Sequence, residues 1–204
     1  TEMLLRQLVQ KENNRYALSK EQIRMITTAS ALHDIGKISI PDEILNKPGR
    51  LTAEEFAVIK GHSMAGANML SELPLDQKEE PLVKTAYEIC RWHHERYDGG
   101  GYPDGLKGEE IPVSAQVVAL ADVYDALTSE RCYKDAYSHE KAIEMILAGQ
   151  CGAFNPLMLE CLLDISSSLK KKMGYKSKER YEQTDLSDIA SRFHDFEMDS
   201  SEKI

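Results

Sequence analysis

At 204 residues the chain has room for one sizeable core and a short appendage, and 42% apolar with 29% charged residues keeps it away from disordered compositions. A net charge of −9, from 25 basic and 34 acidic residues, argues against a broad basic face for a nucleic-acid polymer, although a small anion can still bind locally. The longest uncharged run, residues 145–159, is only 15 residues and is broken by Gly149, Gly152 and Pro156, too short for the roughly 20 apolar residues of a membrane span.

Apolar residues recur at helical spacing along most of the chain, and no segment longer than four residues alternates as a half-buried strand would, so the expected fold is all-α. Leu4, Leu5, Leu8 and Val9 mark a first helix; Ile23, Ile26, Thr27, Ser30 and Ala31 mark a second that runs into His33. Thr52 and Glu55 have the spacing of a capping box and open a helix expected to last to about residue 71. Pro74 and Pro81 bracket a polar connection, after which a helix is expected over 82–95. Residues 98–105, Asp-Gly-Gly-Gly-Tyr-Pro-Asp-Gly, are too rich in Gly and Pro to continue it. Helices follow over 114–129 and 138–148, and Asn155-Pro156 reads as an N-cap with proline at the first helical position of a helix ending near Leu169. Residues 1–169 thus form the main domain. Residues 170–204 are a polar extension with a weaker helical pattern at Leu186, Ile189, Phe193 and Phe196.

The chemistry concentrates in histidines and carboxylates set among apolar residues. His33-Asp34, His62 and His93-His94 lie in or at the ends of expected helices, where neighbouring side chains point about 100° apart and a doublet can line two sides of one cavity. Asp34 and Asp122 sit in apolar runs, where a carboxylate is costly to desolvate unless a cation or donor meets it. Any one of these histidines, taken alone, reads more readily as a hydrogen-bonded core residue than as a ligand; the doublets together with the two aspartates reverse that reading and form a mixed N/O ligand set. Such a set suits Fe, Mn or Zn better than Ca or Mg, and paired cations can stabilise the attacking and leaving oxygens of a phosphoester. Arg131 and Lys134, three apart, could present two cations to one phosphodiester or form an ordinary solvated face. His139, beside Glu140 and Lys141, and His194, in the polar tail, read as surface residues, and Lys170 to Lys172 as a solvated helix end. Cys90, Cys132, Cys151 and Cys161 contain no CxxC pair and, with no secretory signal, predict reduced thiols in a cytoplasm.

The ordered motifs His33-Asp34-Ile35-Gly36-Lys37, His62, His93-His94-Glu95-Arg96-Tyr97-Asp98-Gly99-Gly100-Gly101-Tyr102-Pro103 and Ala121-Asp122-Val123-Tyr124-Asp125-Ala126-Leu127 resemble the HD-GYP family. The resemblance covers about residues 29–164. It implies a helical bundle holding two or three divalent metal ions, Fe or Mn foremost and Zn, Ni or Mg as alternatives, that hydrolyses the bacterial messenger cyclic di-GMP to linear pGpG or GMP. By motif, His33, Asp34, His62, His93, His94 and Asp122 match metal ligands, with Asp34 bridging. Lys37 matches a phosphate-contacting lysine that acts with Asp34 in catalysis. Arg131 and Lys134 match positions gripping the dinucleotide phosphates, and Tyr102 belongs to the loop that names the family.

The same resemblance implies a sensory or receiver domain elsewhere in the protein and contact with GGDEF enzymes. The chain opens on Thr1 rather than Met, which reads as a cut inside a longer protein. Family members usually carry a glutamate and a histidine on a helix upstream of the HD pair, whereas no histidine precedes His33 here, which implies an incomplete ligand set in these residues. Two rivals follow from the same motifs: a cyclic di-GMP receptor that signals through protein contacts without turnover, and a phosphohydrolase for another nucleotide.

Overall fold

A computed structural model of the chain describes residues 1–12, 15–130 and 136–173, and these residues contain helices and no strand. The helices are α1 (Glu2–Leu8), α2 (Lys20–Ala29), α3 (Asp42–Leu45), α4 (Ala53–Lys60), α5 (His62–Ser71), α6 (Leu75–Lys78), α7 (Pro81–Trp92), α8 (Val113–Thr128), α9 (His139–Leu147) and α10 (Pro156–Lys172). Three short 3-10 segments, Ser30–Leu32, Ile35–Ser39 and Gly108–Glu110, join them.

α8 is the axis of the core. Its residues Ser114 to Leu120 are buried on every side, as a helix enclosed by neighbours must be. α7 and α9 pack against it, α2 packs on α7, and α1 lies along α10. The layers are fixed by Leu5, Leu8, Ile89, Leu120, Ile143, Ile146, Met158 and Leu162, all essentially inaccessible. Burying such side chains contributes about 1.5–3 kcal/mol each. Lys11 ties α1 to α10 through Glu160 at 3.1 Å and Asp164 at 2.9 Å.

Local sequence sets most helix starts. Ser19 and Gln22 form a reciprocal capping box at α2, and Thr52 and Glu55 form the expected one at α4. Asn155 accepts from Leu157 N at 3.0 Å with Pro156 at the first helical position of α10. The helix expected over 52–71 is in fact two. At Gly61 the N–H turns to Val58 O at 3.0 Å, tightening the turn, and α5 starts one residue later. The polar connection between Pro74 and Pro81 contains the short α6. α10 continues through the lysine run to Lys172, where Lys170 Nζ meets Glu140 Oε1 at 2.5 Å.

His139 corrects a sequence expectation: it is 1% exposed rather than on the surface. Its charged neighbours Glu140 and Lys141 face outward. His139 itself falls at i, with Ala142, Ile143 and Ile146 at i+3, i+4 and i+7 on the buried stripe of α9. The ring satisfies its nitrogens internally, with Tyr124 Oη 2.7 Å from Nδ1 and Ser166 Oγ 2.7 Å from Nε2. Burial lowers its pKa below the ordinary imidazole value. His194 and the apolar positions 186–196 lie outside the described residues.

Candidate metal centre

The HD pair is not on a regular helix, as the periodicity before it suggests. α2 stops at Ala29, and His33 and Asp34 occupy the turn between two 3-10 segments, with Asp34 at φ −102°, ψ 9° in the sparsely populated bridge region. This turn is held against α5 by a backbone contact at Gly36. A Cβ there would lie 2.0 Å from His62 O and 2.4 Å from Gly66 N, so only glycine lets the HD turn approach the start of α5. His62 begins α5, His93 caps the C-terminus of α7, His94 is the next residue, and Asp122 faces inward from the middle of α8. Four separate segments therefore deliver one cluster.

Asp34 is its centre. Oδ1 lies 3.3 Å from His62 Nε2 and 4.0 Å from His93 Nε2, while Oδ2 lies 3.3 Å from His33 Nε2 and 2.6 Å from Lys37 Nζ. His33 Nε2 also faces Asp122 Oδ1 at 3.6 Å. The two oxygens of Asp34 thus look toward two different imidazole groups, the disposition of a bridging carboxylate.

The imidazole tautomers decide what the cluster can hold. Nδ1 of His33 donates to Ser30 O at 2.8 Å, Nδ1 of His62 to Ile59 O at 2.6 Å, and Nδ1 of His93 to Ile89 O at 2.8 Å. A carbonyl can only accept, so in each neutral ring the proton is on Nδ1 and Nε2 is a bare lone pair. Yet His62 Nε2 is 3.3 Å from His93 Nε2 and 3.2 Å from His94 Nε2, and the ligand atoms of these three residues all lie within 4.8 Å of one another. Converging ring nitrogens, two of them with the proton held on the far nitrogen, and a carboxylate beside them fit a divalent cation.

Electrostatics agree with that fit. Burial, together with neighbouring imidazoles, pushes His93 and His94 well below the ordinary histidine pKa, and burial lowers His62 as well, so all three rings are neutral at neutral pH, the form that can accept a cation. His33 is the opposite. Burial works against its charge, but bonds to Asp122 and Asp34 prevail and raise it to about 10. Burial likewise works against ionised Asp34, yet His33 and Lys37 hold that carboxyl below the usual carboxylate range. Asp122 is also lowered by His33 against the cost of its burial. Without metal, the imidazolium of His33 thus stands where a cation would sit between Asp34 and Asp122. Beneath the cluster, Cys90 donates to Leu32 O at 3.1 Å, and burial with nearby Asp34 pushes its thiol up to about 12, so it stays protonated.

One wall is the glycine-rich loop. The Tyr102 ring stacks on His94, with centroids 4.8 Å apart and planes at 23°. Lys60 Nζ lies 5.6 Å from the Tyr102 ring centroid and 5.3 Å from that of Phe56, a cation held against aromatic rings at the end of α4. Burial raises the Tyr102 phenol above its ordinary pKa and keeps it protonated. Glu95, 2% exposed, accepts from the backbone N–H groups of Asp104, Gly105 and Leu106. Asp104 in turn takes a bidentate pair from Arg91 at 2.7 and 2.9 Å and a bond from Trp92 Nε1 at 2.7 Å.

Of the residues singled out from sequence, His33, Asp34, Lys37, His62, His93, His94, Tyr102 and Asp122 come together here. Arg131 and Lys134 lie outside the described residues. Lys60, Phe56 and the anchoring part of Glu95 were not anticipated. Lys60 is only two positions before His62, and Glu95 directly follows the histidine doublet, so proximity to motif residues was the available signal.

Comparison with known proteins gives the same picture. Residues 1–154 match a family model described as HD domain. The cyclic di-GMP phosphodiesterase response regulator RpfG of Xanthomonas campestris is 43% identical over 157 residues, 77% of this chain and 40% of that protein. A cyclic di-GMP phosphodiesterase of Vibrio cholerae is 45% identical over 148 residues, 72% of this chain and 30% of that protein. A 3'3'-cGAMP-specific phosphodiesterase 2 of the same organism is 42% identical over 149 residues, 73% of this chain and 28% of that protein. The chain thus spans between 28% and 40% of the length of these relatives. With the HD pair, the histidine doublet and the Gly-Tyr-Pro loop assembled on one helical scaffold, the chain belongs to the HD-GYP branch of the HD domain family.

Proposed function

We propose that this chain carries the hydrolytic unit of a metal-dependent cyclic di-GMP phosphodiesterase, with residues 1–169 as that unit and 170–204 as an extension. The observation that carries the reading is the convergence of ring nitrogens of His62, His93 and His94 on one another beside Asp34. His62, His93, His94 and Asp34 would hold one cation; His33, Asp34 and Asp122 would hold a second, with Asp34 shared. The N/O donor set favours Fe or Mn. Bound there, such cations supply Lewis acidity toward phosphoryl oxygens and make hydroxide available at neutral pH.

The chain's own groups supply the rest. Asp34 is ionised across the working pH range, since His33 and Lys37 hold its pKa down against the effect of burial. Lys37, 2.6 Å from Asp34, balances that charge in the free site and is placed to meet a phosphate oxygen in the loaded one. Arg131 and Lys134 are assigned to phosphate grip on their motif alone. Tyr102 keeps its phenolic proton and offers a donor rather than a nucleophile. Lys60 adds a positive charge beside Tyr102 in a chain of net charge −9.

A second substrate has a specific observation in its favour: the relative named for 3'3'-cGAMP is 42% identical, close to the 43–45% of those named for cyclic di-GMP. The response-regulator name of one relative supports a sensory or receiver domain in the full-length protein, and we place it in the bacterial cytoplasm, where GGDEF enzymes are candidate contacts. No helix among the described residues is long and apolar enough to cross a membrane. The deciding experiment loads the full-length protein with Fe(II) or Mn(II) and presents cyclic di-GMP and 3'3'-cGAMP side by side. Linear pGpG or GMP formed faster from cyclic di-GMP supports the reading. Faster turnover of 3'3'-cGAMP transfers it to the second substrate, and turnover of neither, with tight binding of cyclic di-GMP, refutes it in favour of a receptor.

A further inference from the structure

Glu95 is nearly inaccessible, and no cation lies within ion-pair distance of its carboxylate among the described residues. A carboxylate so placed must be satisfied by neutral donors, and these are three consecutive backbone amides of one loop. Oε1 accepts from Asp104 N at 2.7 Å and Gly105 N at 3.1 Å, and Oε2 accepts from Leu106 N at 3.1 Å. The other end of the same loop is folded onto the backbone beside Glu95. A Cβ on Gly101 would lie 2.4 Å from Glu95 Cα and 2.3 Å from Arg96 N, and Tyr102 N donates to His94 O at 3.3 Å. Tyr102 lies between these two attachments, with its ring stacked on His94.

We propose that Glu95 is a positioning residue: its buried carboxylate gathers the amides of 104–106 and so fixes Tyr102 on His94 at the mouth of the metal centre. The proposal rests on the phosphodiesterase reading for its effect on substrate, but not for the latch itself. A carboxylate offers acceptor oxygens at both positions, whereas the amide of Glu95→Gln offers one oxygen and one donor, so either Leu106 N or the pair Asp104 N and Gly105 N faces an N–H. Shape and volume are kept, and the ligand atoms of the centre are untouched.

The test uses the full-length protein. In E95Q, amide hydrogen exchange of the peptide spanning 99–108 is expected to accelerate about tenfold or more, while peptides from α5 and α8 keep wild-type rates and manganese content is unchanged. In turnover, KM is expected to rise about tenfold with kcat within about threefold. Tyr102→Ala, which leaves the latch intact, should raise KM by a similar factor without changing exchange at 104–106, and the double variant should be no worse than either single one. Wild-type exchange at 99–108 in E95Q overturns the proposal. So does additive damage in the double variant, or loss of manganese with faster exchange throughout, which would make Glu95 a general fold element. If the wild-type protein hydrolyses no cyclic dinucleotide, the phosphodiesterase reading fails while the exchange comparison still decides the latch.

Discussion

Binding of a divalent cation should displace one proton, and that proton belongs to His33. In the metal-free protein its imidazolium lies 3.3 Å from Asp34 and 3.6 Å from Asp122, with a pKa raised to about 10. His62, His93 and His94 are lowered and are already neutral at pH 7.5. A cation ligated by His33 must therefore remove its proton at any pH below about 10. At pH 7.5 removing that proton lowers the affinity roughly 300-fold. Affinity should climb about tenfold per pH unit between 7 and 9 and flatten toward 10, which is the sign required of a proton bound only in the metal-free state. Calorimetric titration of the chelator-treated protein with Mn(II), in two buffers of different ionisation enthalpy, counts the protons released. About one per protein is expected, falling to near zero for the remaining site in His33→Gln. A count near zero in the wild type, or an unchanged count in the variant, refutes the assigned protonation states.

Three further outcomes follow from packing and burial. Gly36→Ala places a methyl 2.0 Å from His62 O and should cost about 3 kcal/mol or more, read as a lower midpoint in urea together with weaker metal binding. His139→Leu removes the ring that meets the hydroxyls of Tyr124 and Ser166 at 2.7 Å each, and a loss of about 2–3 kcal/mol is expected by thermal melting, with wild-type metal stoichiometry. Metal-free protein should lose roughly 5–10 °C in melting temperature between pH 7 and 5. The unfolded imidazoles of His62, His93 and His94 take up protons near pH 6.5 that the folded site resists; a depressed histidine pKa favours the folded state only above that range.

The candidate cluster is legible because its chemistry is written in residue type and order: the His-Asp and His-His doublets and the two aspartates in apolar runs are costly to bury together unless a cation gathers them. The geometry that makes them converge is less so. Periodicity carries α2 into His33, but the 3-10 turns around Asp34 follow from the tertiary contact of Gly36 with α5, which no local pattern records. For His139 the charged neighbours mislead, while its own i+3, i+4 and i+7 partners carry the correct signal of a buried stripe. Lys60 and Glu95 are silent for another reason. A lysine two residues before His62 and a glutamate after a histidine doublet look like ordinary surface charges until folding brings them to Tyr102 and the loop amides. Helix starts at Ser19, Thr52 and Asn155 are local and therefore legible, whereas the break at Gly61 is not, because its backbone stays helical through the bend.

Anomalous diffraction from crystals of the full-length protein grown with Mn(II) tests the central claim most directly. Two peaks are expected about 3.5–4 Å apart, one within about 2.3 Å of Nε2 of His62, His93 and His94, the other beside His33 and Asp122, with one oxygen of Asp34 on each. Manganese bound elsewhere, or these imidazoles facing one another with no peak between them at saturating metal, would contradict it.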